Sequence, residues 1–371
     1  MTVPPPDLLR PGGTSVRTVL AAGMDAAGME REGEHPDLGL PRVRRACVVL
    51  VDGLGFTQLT ERSGHFPFLR SLLPDAAVLE SVVPSTTAAA VTSIGTGLTP
   101  GQTGMLGYTV RDPGTGTLLN MIRWDQEIVP VESWQRHRSL AGSLAAPRRF
   151  VNVGPARFAG SGLNTAAFRG ARDVSAEDLP ERVDATVAEL RSGAADLAYL
   201  YWGEIDHVGH VSGWDSWEWG EEASRTDREL RRLARALPAE TLLVITADHG
   251  MVDVAETIDA ARVPELVRGV DLISGEPRAM HLHTSDPGVL SRWRDHLGER
   301  AWVLPHDEAL PLYPGLEPRF ERVIGDVVVF MRGRTVVVDS RTQTPASMAL
   351  IGVHGSLTPA EMLVPLLVTV T

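Results

Sequence analysis

Three segments of this sequence are apolar on both faces, and they constrain the fold more than any other feature. They occupy residues 47–51, 197–200 and 242–246, and each is followed by an acidic residue within a few positions. A run without polar alternation is typical of a strand buried on both faces in a parallel sheet. Helix-like stretches at 175–191 and 217–237 separate these strands. Alternating strands and helices predict an open α/β sheet, in which ligands bind at the carboxyl ends of the strands.

The region from about residue 256 to 344 has a different pattern. It contains short strand-like segments at 278–283, 301–304, 327–331 and 334–338. One helix-like segment lies among them, at 288–297. The chain then returns to an apolar, core-like segment at 362–370. We therefore predict a catalytic α/β core formed by residues 1–255 plus 345–371, with a small α+β insertion at 256–344.

The charged residues exclude several classes of function. All 35 basic residues are Arg, against 47 acidic residues, which gives a net charge of -12. Without Lys there can be no Schiff-base lysine, no Ser-Lys dyad and no phosphate-binding P-loop lysine. The acidic balance gives no basic patch for a nucleic-acid polymer. The single Cys47 excludes an internal disulfide and a multi-thiolate zinc site.

The N-terminal sequence indicates no targeting segment. Residues 1–20 include three consecutive prolines and lack a basic start followed by an unbroken apolar stretch, so they do not resemble a signal peptide. An apolar patch at 19–22 predicts a lead-in helix. The longest apolar runs, such as 363–370, are too short to span a bilayer. We expect a cytoplasmic protein with no membrane partner.

Two acid–imidazole pairs follow predicted strands. Asp248 and His249 are adjacent after the third strand, and Asp206 and His210 stand four positions apart after the second. One helical turn would place Asp206 and His210 on the same face. Carboxylate oxygen and imidazole nitrogen are both good ligands for zinc and related metals. Each pair could equally form an ordinary buried hydrogen bond or surface ion pair.

Three further residues are candidates for the same site. Asp52 ends the first strand, His354 lies between glycines at 352 and 355, and Thr87 lies where a turn gives way to a helix-like run. Considered separately, Asp52 could cap a turn, His354 could be structural and Thr87 could be a helix cap. A helix N-terminus at Thr87 would also favour a bound anion.

Taken together, these residues supply enough ligands for two adjacent metal ions. Three Asp, three His and one hydroxyl would meet near strand ends and turns. Two metals about 3.5–4 Å apart can stabilise both the attacking and the leaving oxygen of an in-line phosphoryl displacement. A metal-activated hydroxyl then serves as the nucleophile. The set predicts a metal-dependent phosphoryl hydrolase.

The order and spacing of these residues resemble the alkaline phosphatase superfamily. Within it, the chain is most similar to the nucleotide pyrophosphatase/phosphodiesterase branch and its phosphonoacetate hydrolase relatives, from about Cys47 to the C-terminus. The resemblance implies an alkaline phosphatase-like α/β/α sandwich with a mostly parallel central sheet. It also implies two divalent metals, zinc by family default and manganese as the runner-up.

The resemblance assigns a role to each of the seven residues. It implies one metal bound by Asp206, His210 and His354 and a second bound by Asp52, Asp248 and His249. It implies Thr87, three residues after Pro84, as a metal-bound nucleophile that forms a phospho-threonine intermediate.

Three positions concern the substrate pocket that the family carries. Tyr201 falls where the family has a pocket tyrosine. Ala88 replaces the aromatic residue that usually follows the nucleophile, and Tyr108 aligns with the asparagine that contacts the transition state. A phenol has one donor where an amide has two, so a substrate role for Tyr108 is a hypothesis. The two replacements affect the expected substrate rather than the reaction class.

Other activities remain open from the sequence. A sulfatase needs a Cys/Ser-x-Pro-x-Arg signature, which is missing around Thr87, and a serine hydrolase needs a Gly-x-Ser-x-Gly elbow, which is not found. A phosphomonoesterase or phosphonate hydrolase of the same superfamily remains an alternative. Monoesterases usually place an Arg close after the nucleophile, and the first one here is Arg111. The alternative outside enzymes is a non-catalytic relative that binds a metal or a nucleotide. The presence of all six predicted metal ligands and of the Thr87 hydroxyl argues against it.

The substrate is predicted only as a small intracellular phosphodiester. The lack of Lys is typical of a GC-rich genome such as that of actinobacteria, where cytoplasmic members of the superfamily degrade cyclic di-AMP, and cyclic di-AMP or a related nucleotide is the candidate. Arg278, His281 and His283 lie on one predicted strand, where alternate residues share a face. Arg278 could bind a second phosphate there, or this could be an ordinary strand face.

Overall fold

The computed structural model describes residues 14–33, 35–146 and 149–371, and its strands and helices are numbered in chain order. The strands are β1 Arg45–Val51, β2 Ala77–Glu80, β3 Thr109–Arg111, β4 Leu118–Asn120, β5 Phe150–Gly154, β6 Arg172–Ser175, β7 Leu197–Trp202, β8 Thr241–Thr246, β9 Val252–Asp253, β10 Glu256–Asp259, β11 Leu272–Glu276, β12 Ala279–His283, β13 Ala301–Pro305, β14 Val327–Met331, β15 Thr335–Val338, β16 Gly352–Val353 and β17 Leu363–Val370. The helices are α1 Val19–Ala26, α2 Phe56–Glu61, α3 Pro67–Leu72, α4 Thr87–Thr96, α5 Pro100–Thr103, α6 Val131–Trp134, α7 Leu140–Ser143, α8 Gly162–Phe168, α9 Leu179–Ser192, α10 Glu204–Ser212, α11 Trp217–Ala236, α12 Pro264–Val267, α13 Val289–Leu297, α14 His306–Ala309, α15 Pro345–Met348 and α16 Pro359–Met362.

The apolar runs form the centre of the main sheet. In the described part of the chain this sheet has seven strands, in the order β2-β17-β8-β1-β7-β5-β6. Strands β8, β1, β7, β5 and β6 are parallel, and β17 runs antiparallel to both β8 and β2. All six residues of β8 are buried, as expected for a strand covered on both faces. The predicted fold class, an α/β sandwich around a mostly parallel sheet, is confirmed.

The two long helices lie between the strands as the sequence predicts, with one difference. Helix α11 matches the predicted stretch, but α9 begins at Leu179 rather than at 175. Strand β6 extends to Ser175, and the Asp178 side chain accepts a hydrogen bond from the Glu181 amide. An Asp at this position satisfies a free amide of the first turn, which sets the start of the helix.

Residues 272–331 form a separate antiparallel sheet. Its four strands have the order β11-β12-β14-β13, and α13 packs on it through the fully buried Trp293. Strands β10 and β15 form a parallel pair beside it. These elements carry their own apolar cluster, which is consistent with a small α+β unit; the bounds 256–344 remain a prediction.

The N-terminal part of the chain supports the main sheet. Helix α1 contains the lead-in helix expected at 19–22, and its side chains are buried against β1. The prediction that residues 1–20 carry no signal peptide falls partly on 1–13, which lie outside the described residues. None of the described helices combines the length and the apolar character needed to cross a bilayer.

Candidate metal centre and active site

The acidic residues of the site come from the ends of three neighbouring parallel strands. Asp52 follows β1, Asp248 follows β8, and Asp206 lies on α10, the helix that follows β7. Because β8, β1 and β7 are adjacent, their carboxyl ends meet at one edge of the sheet. Gly53 has a φ of 73°, and a Cβ at this position would lie 2.9 Å from the Asp206 Cβ. Glycine therefore allows the β1 turn to approach α10.

Three imidazoles surround these carboxylates, and their orientation is fixed from behind. In each ring Nδ1 faces a backbone carbonyl: His210 that of Gly352 at 2.6 Å, His249 that of Gly250 at 3.0 Å, and His354 that of Ser85 at 2.9 Å. A carbonyl only accepts, so Nδ1 must carry the hydrogen in all three rings. This leaves Nε2 for a ligand, which is the arrangement found in metal-binding histidines.

The Nε2 atoms all face carboxylate oxygens. His210 Nε2 lies 3.2 Å from Asp206 Oδ2, and His354 Nε2 lies 3.8 Å from Asp206 Oδ1. His249 Nε2 lies 3.3 Å from Asp52 Oδ1 and 3.5 Å from Asp248 Oδ2. The rings of His249 and His354 stack with their centroids 3.5 Å apart, so the imidazoles and carboxylates form one continuous cluster.

Each carboxylate of this cluster has one oxygen atom without a hydrogen-bond partner in the described part of the chain. Asp52 Oδ1, Asp206 Oδ1 and Asp248 Oδ2 are buried and have no hydrogen-bond partner among the described residues. Burial raises the pKa of Asp52 well above its usual range, with further contributions from Asp248 and Asp206, and burial also raises the pKa of Asp248. Buried carboxylates without partners are costly unless they are paired or bind metal.

The charge is unevenly distributed across the cluster. Burial alone would raise the pKa of Asp206, but the neighbouring His210, His354 and His249 hold it below its usual range. Burial alone would lower the pKa of His210, but Asp206 outweighs this and raises it to about 9. Asp206 is therefore the carboxylate at the centre of the cluster that the histidines stabilise most.

Two groups of side chains could each hold a metal ion. In the first, ligand atoms of Asp206, His210 and His354 lie within 4.8 Å of one another, which is the first set implied by the sequence. In the second, the atoms within this distance belong to Asp52, Asp206 and His249, and Asp248 lies beside His249. Asp206 thus stands between the two groups. Oxygen and nitrogen ligands with orphaned oxygen atoms fit divalent cations such as zinc and manganese.

Thr87 lies directly against this cluster. It is the first residue of α4, after the N-cap Thr86, and its Oγ1 donates to His249 Nε2 at 3.1 Å. The free amides of the first helical turn and the helix dipole favour an anion at this place. The structure therefore brings together all seven residues that the sequence singled out for metal binding and catalysis.

A cavity of about 370 Å³ opens next to Thr87. Its volume lies within the range of small-molecule sites, roughly 300–1,000 Å³. Tyr201 lines it, and the Tyr201 hydroxyl donates to Asp52 Oδ2 at 2.5 Å, so this tyrosine connects the cavity with the acidic cluster. Phe158 packs against Tyr201 with ring centroids 5.7 Å apart.

Several residues of the cavity were missed by the sequence analysis. They are Asn152, Asn164, Asp173 and Tyr199, with two exposed arginines, Arg123 and Arg157. One signal was present: Asn152 interrupts the otherwise apolar strand β5, and a polar residue in a buried strand indicates a specific partner. The others come from separate elements and share no local pattern.

The structure corrects the proposed substrate contact of Arg278. This side chain is fully buried, and its Nε and Nη2 donate to Glu361 at 3.0 and 2.7 Å. Its Nη1 donates to the Thr335 carbonyl at 2.7 Å. Because its donors are used within the protein, Arg278 has a structural role and does not bind a second phosphate. His281 and His283 are also buried.

Tyr108 lies apart from the cavity. Its side chain is 38% exposed, and it is absent from the described residues that line the cavity. Its amide donates to Glu276 Oε2 at 2.8 Å, which ties its loop to the smaller sheet. A substrate contact by its phenol remains a prediction from the family resemblance.

Comparisons with known proteins agree with this architecture. A family model described as type I phosphodiesterase/nucleotide pyrophosphatase matches residues 46–357. Phosphonoacetate hydrolase from Sinorhizobium meliloti 1021, solved in complex with phosphonoformate, has a TM-score of 0.67 at 22% identity over 92% of both chains. Murine ectonucleotide pyrophosphatase/phosphodiesterase 5 has a TM-score of 0.62 at 18% identity over 87% of both chains. A search of curated protein sequences found no significant match.

Proposed function

Because this chain belongs to the type I phosphodiesterase/nucleotide pyrophosphatase family, a branch of the alkaline phosphatase superfamily, we propose that it is a two-metal phosphodiesterase with Thr87 as its nucleophile. The observation that carries the proposal is the position of Thr87. Its hydroxyl lies 3.1 Å from His249 Nε2, at the N-terminus of α4 and beside three orphaned carboxylate oxygens. A hydroxyl, a helix N-terminus and a cluster of carboxylates and imidazoles therefore meet at one point, which supports the proposal.

The residues of the chain would act as follows. Asp206, His210 and His354 would hold one cation, and Asp52, Asp248 and His249 the other. Bound divalent cations supply Lewis-acid charge that ionises a hydroxyl and offsets the charge of the phosphate. The first turn of α4 would bind the phosphate through its free amides. Thr87 Oγ1 would lose its proton and bond to phosphorus while the bond to the leaving oxygen breaks, and the leaving group would take up a proton and depart as an alcohol. Water would then hydrolyse the phospho-threonine to regenerate the Thr87 hydroxyl.

The proposed substrate is a small intracellular nucleotide diester, with cyclic di-AMP or a related nucleotide as the first candidate. The cavity beside Thr87 is large enough for a small molecule and is lined by aromatic and polar side chains. Zinc is the proposed metal, with manganese as the alternative, because both accept carboxylate and imidazole ligands.

The test compares a phosphodiester with a phosphomonoester in the full-length protein. We expect bis(p-nitrophenyl) phosphate to be hydrolysed faster than p-nitrophenyl phosphate with zinc or manganese added. Thr87→Ala should lower diester hydrolysis by at least about 10³-fold, since the nucleophile is lost. Thr86→Ala is the matched control, because the Thr86 side chain makes no capping hydrogen bond. Preference for the monoester, or an active Thr87→Ala variant, would contradict the proposal.

A phosphonate hydrolase is the second candidate. Arg123 and Arg157 line the cavity that contains Thr87, and either guanidinium could bind a carboxylate on the substrate. The similar structure of phosphonoacetate hydrolase makes phosphonoacetate the compound to test. Release of inorganic phosphate from phosphonoacetate, faster than release of nitrophenol from the diester, would favour this candidate.

A further inference from the structure

Three polar side chains cross the floor of the cavity in a single row. Asp173 on β6, Asn152 on β5 and Tyr199 on β7 are direct partners in the register of these parallel strands. Side chains at equal register on neighbouring strands share one face of the sheet. All three line the cavity beside Thr87. We call Asp173, Asn152 and Tyr199 the polar row.

Asp173 fixes the orientation of the Asn152 amide. Asn152 Nδ2 donates to Asp173 Oδ1 at 2.8 Å and to Asn164 Oδ1 at 2.7 Å, and Asn164 Nδ2 faces the Asp173 carboxylate at 3.2 Å. A carboxylate only accepts, so both amides must turn their nitrogen atoms toward it. Both hydrogens of Asn152 are then used, and its Oδ1 is left without a partner among the described residues. Asn152 is only 7% exposed, so this acceptor is available only to a ligand or water in the cavity.

Tyr199 lines the floor of the cavity beside Asn152. Its side chain is 1% exposed, and its hydroxyl has no hydrogen-bond partner among the described residues. Phe168 packs on its ring with centroids 4.7 Å apart, which holds the ring in place. A buried hydroxyl without a partner costs stability. The ring of Tyr199 is therefore held in place beside the free acceptor of Asn152, while its hydroxyl is shielded from the cavity.

The polar row lies further from the carboxyl end of the sheet than Tyr201 does. Tyr201 shares the face of Tyr199 but is two residues closer to the carboxyl end of β7, which corresponds to about 6.6 Å. Tyr201 contacts Asp52, whereas the polar row lies deeper along the strand. Gly154 lines the cavity beyond Asn152 and adds no side chain there, and Phe158 and Tyr201 supply flat walls.

We propose that the polar row is the recognition site for an aromatic heterocycle that presents an amino group. Asn152 Oδ1, oriented by Asp173, accepts from this amino group. The Asp173 carboxylate makes this end unfavourable for a phosphate. The inference rests on the proposed function, because phosphorus must lie at Thr87 for the ring to reach the polar row. It selects adenine-type over hypoxanthine-type rings, since a 6-oxo group would place an acceptor against Asn152 Oδ1.

The test measures binding of AMP and IMP, which differ in the 6-amino and 6-oxo groups, to the metal-loaded full-length protein by titration calorimetry. We expect AMP to bind at least about tenfold more tightly, because a mismatch leaves a buried acceptor unpaired. Asn152→Leu should reduce this ratio. Tyr313→Phe is the control, since Tyr313 is also buried but contacts His281 in the smaller sheet. The ratio of two affinities is insensitive to a partial loss of folded protein.

The outcomes separate this inference from the proposed function. Equal affinity for AMP and IMP, or a ratio that survives in Asn152→Leu, overturns the recognition site even if bis(p-nitrophenyl) phosphate is hydrolysed. A preference for AMP that is lost in Asn152→Leu supports it, even if no diester is cleaved; in that case only the proposed function fails.

Discussion

At the scale of single residues, the imidazole orientation is what makes the cluster a candidate metal site. Each of His210, His249 and His354 donates Nδ1–H to a carbonyl of a different backbone segment, so each Nε2 is aimed at the carboxylates by the fold itself. Preorganised ligands bind metal more tightly because less ordering is needed on binding. The exposed His207 lies on the same helix as His210 but is outside the cluster.

This difference predicts the effect of single substitutions on metal content. His210→Gln should lose about one bound metal ion and lower diester hydrolysis by at least about 100-fold, since outer partners of metal ligands alone contribute 10–100-fold. His207→Gln, the matched control, should keep both metal content and activity. Metal per protein is measured by mass spectrometry after dialysis. Equal metal content in the two variants would exclude His210 as a ligand.

At the scale of elements, strand β12 carries two histidines that are buried and uncharged. Burial lowers the pKa of His281 to about 3, with a further contribution from His283, and burial lowers the pKa of His283 to about 4, with a contribution from Arg111. His281 Nε2 faces the Leu106 carbonyl at 3.3 Å, and its Nδ1 accepts from the Gly325 amide at 3.2 Å. The strand therefore connects the smaller sheet with the loop before Tyr108 through a neutral ring.

The pKa values of these histidines predict acid sensitivity of the folded state. Between the usual value of 6.5 and the lowered values, the unfolded chain binds more protons than the folded chain. The free energy of unfolding should fall as the pH decreases through this window, by about 1.4 kcal/mol per pH unit for each histidine. In urea unfolding at pH 7.5 and 5.0, His281→Gln should lose about 2 kcal/mol less than the wild type. The same loss in His281→Gln, His207→Gln and the wild type would contradict this account.

At the scale of the whole molecule, a buried ion pair joins the smaller sheet to the main core. Arg278 lies between β11 and β12, whereas Glu361 lies on α16, and both side chains are completely buried. The Glu361 carbonyl also accepts from the Gly250 amide at 2.8 Å, next to the candidate metal ligand His249. Removing one partner of a buried pair leaves an uncompensated charge. The pair thus connects the smaller sheet, through α16, to the segment that carries His249.

We expect Glu361→Leu to lower the free energy of unfolding by about 3–5 kcal/mol. The double substitution Arg278→Met with Glu361→Leu should recover a large part of this loss, because no unpaired charge remains. Arg300→Gln, in the partly exposed pair with Glu256, is the control and should change stability by less than about 1 kcal/mol. Guanidinium denaturation followed by circular dichroism measures all three. A loss below 1 kcal/mol in Glu361→Leu would refute the role of this pair.

The sequence by itself determined the fold class and the location of the acidic residues. Apolar runs such as 47–51 can be read locally because a strand buried on both faces needs apolar side chains at every position. Asp52, Asp206 and Asp248 could be placed together from the rule that parallel strands end at the same edge of a sheet. The histidines of the site could be named because they lie close to these aspartates in sequence or match a family pattern.

Only the tertiary structure decided which polar residues face each other across long separations. The sequence places Arg278 on a strand face. In the structure it is buried and paired with Glu361, 83 positions away. The polar row of Asp173, Asn152 and Tyr199 exists because three strands align in register, and no local pattern encodes that alignment. The preference for strand or helix and the apolar pattern depend on residues that are close in the chain. Hydrogen-bond pairing and site selectivity depend on contacts that form only when the sheets assemble.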